Sequence, residues 1–396
     1  MFKHQPETVL EKTYPQIPYP KGAVRWPALL FLLLTPLAAA IAVPWYGFTH
    51  GYDAFEWVMF GVFMMFTGMS ITAGYHRLWA HKTYQSHWLP RLFYAIGGAG
   101  ALQNSIIHWA ADHRKHHTHV DDNDHDPYSA KRGFWYSHVG WIYKNEAVGR
   151  EDFSSVRDLL HDPIVAWQHA NYVWITVAFN VGLPVLIGYL HGDILGTFLL
   201  AGLLRLVLNH HFTFAINSLA HIWGGQNYDR STTARDNGFL ALFTYGEGYH
   251  NYHHRFQYDY RNGHLWYHYD PAKWLIKGLS LVGMANSLKK VSDLQIEQAR
   301  IKTEYQRMLE EPHAITLSEE LRHRLDLAYQ TCVKALEEYV EARKQWLQSK
   351  RRAADTDKSL TRNLKARAQS LRSEFLQQRK HWRSVLAELS YAPAAA

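Results

Sequence analysis

Three short histidine clusters carry the chemistry this sequence could do: His76-Arg-Leu-Trp-Ala-His81, His113-Arg-Lys-His116-His117 and His250-Asn-Tyr-His253-His254. Between the second and third stands Asn217-Ser-Leu-Ala-His221. Residues three and four apart share a helix face, so each H-x-x-H-H is expected to present three imidazoles in one direction. Asn217 and His221 share a face by the same rule. The first pair, five apart, is turned by roughly 140° on an ideal helix and needs a helix end or a bend. Imidazole suits iron, zinc, copper and nickel. Two repeats of a three-histidine pattern supply more nitrogen than one tetrahedral ion can use, which points to two metals with positions left open for oxygen or water.

The chain has 26 histidines in 396 residues, so clustering alone is weak evidence. His4, His50, His161, His169, His191, His313, His323 and His381 stand apart from the clusters and are read as surface or internally satisfied polar residues.

The elements that must position the clusters are apolar. Mean hydropathy is −0.31, yet that average joins two unlike parts: long apolar runs over residues 27–214 and a charged stretch over 285–396. Runs at 26–48, 54–73, 172–190 and 194–215 are long enough to cross a bilayer. Pro36 and Pro44 are tolerable in the first, where neighbours can satisfy the freed carbonyls. Short turns join the spans into two hairpins. Residues 91–107, with Gln103, Asn104 and several glycines, read as a partly buried or re-entrant helix rather than a fifth span.

Neither hairpin turn contains Lys or Arg, whereas the N-terminus has Lys3, Lys12, Lys21 and Arg25, and residues 75–171 contain ten. The positive-inside rule therefore puts both termini and the middle segment in the cytoplasm, with every cluster on that face. The expected fold is an all-α integral membrane protein: four transmembrane helices in two hairpins beneath a cytosolic histidine-rich helical cap. Arg205, inside the fourth span, is read as a helix-end residue paired within the bundle. The N-terminus lacks the short apolar core and cleavage site of a signal peptide. A single cysteine, Cys332, excludes an intrachain disulfide and fits a reducing compartment.

Beyond residue 286 the chain reads as soluble helix, giving three segments: 1–25, a membrane domain at 26–285 and an extension at 286–396. Thr316-Leu-Ser-Glu319 matches a capping box. Leu321, Leu325, Ala328, Cys332, Ala335, Tyr339, Ala342 and Trp346 alternate in steps of four and three, a heptad seam. Pro312 breaks the helix before it and Asp355-Thr-Asp357 the helix after it. A last helix at 359–389 completes either a helical hairpin or a self-association element for a homo-oligomer. The net charge of +7 does not argue for nucleic acid, because Lys and Arg in the extension are interleaved with Glu and Asp.

Gly74-Tyr-His-Arg-Leu-Trp-Ala-His81, Asp112-His-Arg-Lys-His-His117 and Gly246-Glu-Gly-Tyr-His-Asn-Tyr-His-His254 resemble the histidine boxes of the membrane acyl-CoA Δ9 desaturases. Arg132-Gly-Phe-Trp-Tyr-Ser-His-Val-Gly-Trp141 and Asn217-Ser-Leu-Ala-His221 are similar to that family too, and the likeness covers about residues 25–285. The resemblance implies a non-haem centre of two irons that uses oxygen and two electrons to remove two hydrogens from an acyl chain. It implies His76, His81, His113, His116, His117, His221, His250, His253 and His254 as metal ligands, with Asn217 acting through a water. Gln103, Asn104, Trp109, Thr213 and Phe214 match positions that shape the acyl tunnel, though Phe214 stands where tryptophan is expected. Asp112, Asp236 and Glu247 are candidates to accept from the rings' outer nitrogens, or to serve as ordinary caps. Arg132 is a candidate for the phosphates of coenzyme A.

No H-P-G-G haem signature occurs, so a separate electron-donor protein is expected. The compact four-span core suggests a bacterial inner-membrane member. Two other readings stay open: a membrane hydroxylase with the same metal chemistry, and a non-catalytic metal-binding scaffold.

Overall fold

A computed structural model describes residues 22–144, 153–310, 318–351 and 358–390. Thr316 of the expected capping box, Pro312, the break at 355–357, His4 and His313 lie outside these. The chain divides into two compact units, one of Met1–Gly225 with Ser231–Lys290, the other of Gln226–Arg230 with Val291–Ala396.

The first unit is built on four helices long and apolar enough to cross a membrane: Trp26–Thr49, Ala54–Ala80, Tyr172–His191 and Ile194–Ile222. The first turns Leu30, Leu33, Leu34, Leu37 and Ile41 outward, the arrangement expected where lipid is the solvent. Both hairpin turns begin the next span with an aspartate cap. Asp53 accepts from the backbone N–H of Phe55 and Glu56, and Glu56 Oε2 accepts from Asp53 N at 2.9 Å, a reciprocal capping box. Asp193 accepts from Gly196 N at 2.8 Å. Its other oxygen accepts from the Tyr46 hydroxyl at 2.6 Å, and His191 meets Asp53 at 2.9 Å, so the two turns are bound to each other.

Two spans run further than their apolar stretches suggest. The second continues as a π-helix over Ser70–Ala80 and carries His76; the fourth continues to Ile222 and carries Asn217 and His221. Arg205 is not at a helix end. It lies wholly buried within the fourth span, donating to the carbonyls of Ala201 (3.0 Å) and Gly100 (2.9 Å) and to Asn180 Oδ1 (2.9 Å). A charge in an apolar layer is tolerated when oxygens take up its donors.

The segment expected at 91–107 is two helices, Trp88–Gly100 and Ile106–Thr118, joined by a turn in which Leu102 and Asn104 have positive φ. Thirteen residues each rise roughly 20 Å, short of a bilayer's hydrocarbon thickness. Trp88–Gly100 lies against the second span through its glycines: a Cβ on Gly98 would come 2.1 Å from the Tyr75 ring. A short antiparallel ladder, Gln85–Ser86 with Ala285–Asn286, ties this region to the end of the unit. Tyr75, Trp79, Tyr94, Ile106, Ile107 and Ala110 form the core beneath the histidines.

The second unit is helical: Asp293–Glu310, Glu319–Arg351 and Lys358–Ser390. Leu325, Ala328, Cys332, Ala335 and Ala342 of the heptad seam are buried, and the first four share a core with Phe375, Trp382, Val385 and Leu389 of the last helix. The last two helices thus form a hairpin.

Candidate metal centre

Each histidine reaches the centre from an element whose local structure explains its aim. The five-residue spacing of His76 and His81 suits the π-helix, whose wider turn bonds His81 N to His76 O at 3.0 Å. The helix Ile106–Thr118 carries His113, His116 and His117 and is bolted to the end of the second span by Arg114, which donates to the carbonyls of Trp79 (2.6 Å) and Ala80 (2.8 Å). The helix His250–Arg255 carries the third cluster, and Asp236 accepts from Tyr252 N near its start at 2.9 Å.

The nine histidines assemble into two groups. One is His76, His81, His113, His117 and His253; the other is His116, His221, His250 and His254. Within each group the ligand atoms lie within 4.8 Å of one another. The H-x-x-H-H clusters therefore do not act as single faces. In the second cluster the i, i+4 pair, His113 and His117, goes to the first group and His116 to the other. The third cluster does the reverse, sending His250 and His254 to the second group and His253 to the first. Residues three and four apart straddle a helix face, and that angular difference aims them at different centres.

The Nε2 atoms face one another: His76 to His253 at 3.0 Å, His81 to His113 at 2.8 Å, His253 to His117 at 2.9 Å, His250 to His221 at 3.1 Å and His254 to His250 at 3.0 Å. Nitrogens bound about 2.1 Å from a shared ion at right angles stand about 3.0 Å apart. Burial, and then the neighbouring imidazoles, hold His81, His113, His117, His250, His253 and His254 well below the ordinary histidine pKa. They are neutral, the form in which imidazole is a ligand. The donor set fits two transition-metal ions.

Outer nitrogens are fixed by acceptors that orient the rings. His76 Nδ1 meets Glu247 Oε2 at 2.9 Å, as expected for Glu247. Burial pushes the Glu247 carboxyl up, but His76 and Arg77 beside it outweigh burial and hold it below the usual range. Asn262 donates to the same carboxylate. His116 Nδ1 meets Asp126 at 2.9 Å, and His221 Nδ1 meets the Thr233 hydroxyl at 2.7 Å, which donates in turn to Asp121 at 2.6 Å. Asp126, Thr233 and Asp121 were not singled out from the sequence. Asp236, named as a candidate for a ring nitrogen, instead caps the third cluster's helix. Its carboxyl is pushed up to about 7 by burial, against the opposing pull of backbone N–H groups.

A cavity of about 480 Å³ opens onto His76, His113, His116 and His250, a volume in the range of small-molecule sites. Gln103, Asn104, Trp109, Thr213, Phe214 and Asn217 all line it, as does Asp112. Gln103 donates to the Thr213 hydroxyl at 2.9 Å, and the Tyr172 hydroxyl accepts from Asn104 N at 2.9 Å. Arg25, Phe31, Lys144 and His210 also line the cavity and were not among the residues expected there. Arg132 lies over the ring of Tyr136, 3.6 Å from its centroid, and Tyr136 lines the same cavity.

Residues 54–281 match the fatty acid desaturase family. The chain is 44% identical over 242 residues to acyl-CoA desaturase 1 of Saccharomyces cerevisiae, covering 61% of this chain and 47% of that one. It is 45% identical over 238 residues to a probable acyl-CoA desaturase of Schizosaccharomyces pombe, covering 60% and 50%. The chain thus spans about half the length of these two yeast relatives. It is 33% identical over 281 residues to stearoyl-CoA desaturase 5 of Bos taurus, covering 70% of this chain and 79% of that one. With its histidines gathered in two groups at the end of four membrane-length helices, this chain belongs to the fatty acid desaturase family.

Proposed function

We propose that this chain desaturates a saturated long-chain fatty acyl-CoA, placing a cis double bond at the ninth carbon. The observation that carries the reading is the convergence of nine imidazoles, six buried and three half-buried, on two points beside one cavity. Two irons held there would supply the oxygen-dependent oxidation, with two electrons from a separate donor protein. The chain's own residues do the rest. Trp109, Phe214 and Phe31 wall the cavity and keep water from the acyl chain; Gln103 and Thr213 fix one another and set the cavity's shape. Glu247, Asp126 and the Thr233–Asp121 pair hold the rings of His76, His116 and His221 in their ligating orientation. Asn217 is assigned to hold a water for the second, four-histidine group, which has one imidazole fewer.

The coenzyme A end of the substrate is assigned to the cytoplasmic side, beside Arg132. Both termini are assigned to the cytoplasm, because the basic residues avoid the hairpin turns, and the single cysteine with the compact four-span core assigns the chain to a bacterial inner membrane. Residues 26–285 would form the catalytic domain, and 286–396 a separate helical extension.

The test is the fatty-acid profile of a host expressing the chain with a competent donor, beside His116→Ala, with double bonds located by mass spectrometry. A cis monoene at the ninth carbon, absent in the variant, is expected. Hydroxy acids would replace desaturation by hydroxylation, and an unchanged profile would leave only metal binding.

A further inference from the structure

The third histidine cluster sets a tyrosine immediately before one ligand of each group: Tyr249 before His250 and Tyr252 before His253. Both tyrosines are buried. Each stacks on a histidine of one following loop. Tyr249 lies on His268, with centroids 4.2 Å apart and planes at 8°; Tyr252 lies on His264 at 4.5 Å and 11°. The His264 and His268 rings meet edge to face at 5.5 Å. From His268 the series continues to Tyr267 at 5.1 Å and to Trp266 at 5.7 Å. Trp266 is 88% exposed. Two branches of rings, each starting at the residue before a ligand, therefore join at His264 and His268 and reach the surface at Tyr267 and Trp266.

The loop that holds these rings is fixed. Lys273 Nζ donates to the carbonyls of Gly263 (2.6 Å), Leu265 (3.0 Å) and His268 (3.2 Å), and Asp270 accepts from the backbone N–H of Asn262 and Gly263. Packing does not account for Trp266 at the end of it, since an indole so exposed buries almost no apolar surface.

We propose that this series of rings is an escape route for oxidising equivalents, protecting the site when oxygen is activated with no acyl chain in the cavity. The proposal rests on the desaturase reading, because it needs a centre able to break an unactivated C–H bond. Tyr and Trp are among the side chains whose one-electron oxidation such an oxidant can reach. Tyr249 or Tyr252 gives one electron inward, and Tyr267 and then Trp266 refill it, with the rings of His264 and His268 bridging the phenols. The indole N–H of Trp266 loses its proton to water. A thiol in solution then returns a hydrogen atom to the indole and is itself oxidised. Two such events send two electrons inward and convert two thiols to one disulfide.

The test uses the full-length, iron-loaded protein cycled with oxygen and a one-electron reductant, without acyl chain or thiol, followed by peptide mass spectrometry. Oxygen-bearing Trp266 is expected in several-fold excess over Trp135, which is 73% exposed and serves as an internal control. A long-chain acyl-CoA or glutathione should suppress that excess, and zinc-loaded protein should show none. Tyr249→Phe combined with Tyr252→Phe should abolish it, with bound zinc at wild-type stoichiometry showing that the site still assembles. Equal oxidation of Trp266 and Trp135, or an excess that survives in the double variant, would overturn the proposal. Failure of the desaturase reading shows separately, as no double-bond product when acyl-CoA is present.

Discussion

Asp126 and Glu247 hold outer nitrogens of His116 and His76, so each should govern metal affinity without being a ligand. Asp126→Asn keeps the shape but donates or accepts only weakly at Nδ1. Losing such a partner typically costs about 10- to 100-fold in metal affinity, which titration of metal-free protein with ferrous iron would read. An unchanged affinity would reduce Asp126 to packing. The imidazoles also set a pH dependence. His138 is pushed down to about 4, by burial first and then by His211 beside it, from an ordinary value near 6.5. Above pH 6.5 it is neutral whether the chain is folded or not. As pH falls from about 6.5 to about 4 the unfolded chain takes up a proton that the folded chain refuses, and stability is lost. The six depressed cluster histidines add in the same direction, so metal-free protein should show a steep fall in melting temperature below pH 6.5. A flat profile from pH 7 to 5 would contradict their burial as neutral rings.

At the scale of elements, the spans and histidine clusters were legible because each has one physical solution. An apolar run of about twenty residues with an aspartate cap has few readings other than a membrane helix. The division of ligands was not legible, since helical periodicity puts His113, His116 and His117 on one broad face and cannot say that two centres share it. Asp126 and Thr233 were equally hidden. They lie in irregular loops, where spacing carries no directional information until the loop's path is known. The glycines of Trp88–Gly100 were visible in the sequence, but their purpose was not. Gly98 lets that helix lie against Tyr75, the residue before His76, so Gly98→Ala should push the ring aside. Overpacking of this kind costs about 1–3 kcal/mol. Melting temperature should fall, and iron content with it; a variant that melts and loads normally would show that Tyr75 can swing away freely.

At the scale of the whole molecule, both metal groups and the cavity are made only from residues of the first unit. The second unit holds a core of its own, centred on Trp382, which is fully buried and donates from Nε1 to Glu304 at 2.8 Å. Arg379 pairs with Glu304 and Glu297 in the same core. Glu304 is pushed up by burial, but hydrogen bonding to Arg379 and that arginine's charge outweigh burial and hold it below the usual range, so Glu304 stays ionised at neutral pH. Separate cores imply separable stability. Trp382→Ala removes a large buried side chain and a hydrogen bond, a change that costs about 3–5 kcal/mol. It should therefore melt the second unit early while leaving the metal groups intact. Hydrogen exchange would read this residue by residue: protection lost across Glu319–Arg351 and Lys358–Ser390, and retained in Ile106–Thr118 and His250–Arg255, with iron content at the wild-type level. Loss of protection in both sets of helices would mean that the two units fold as one cooperative body and that the extension supports the metal centre.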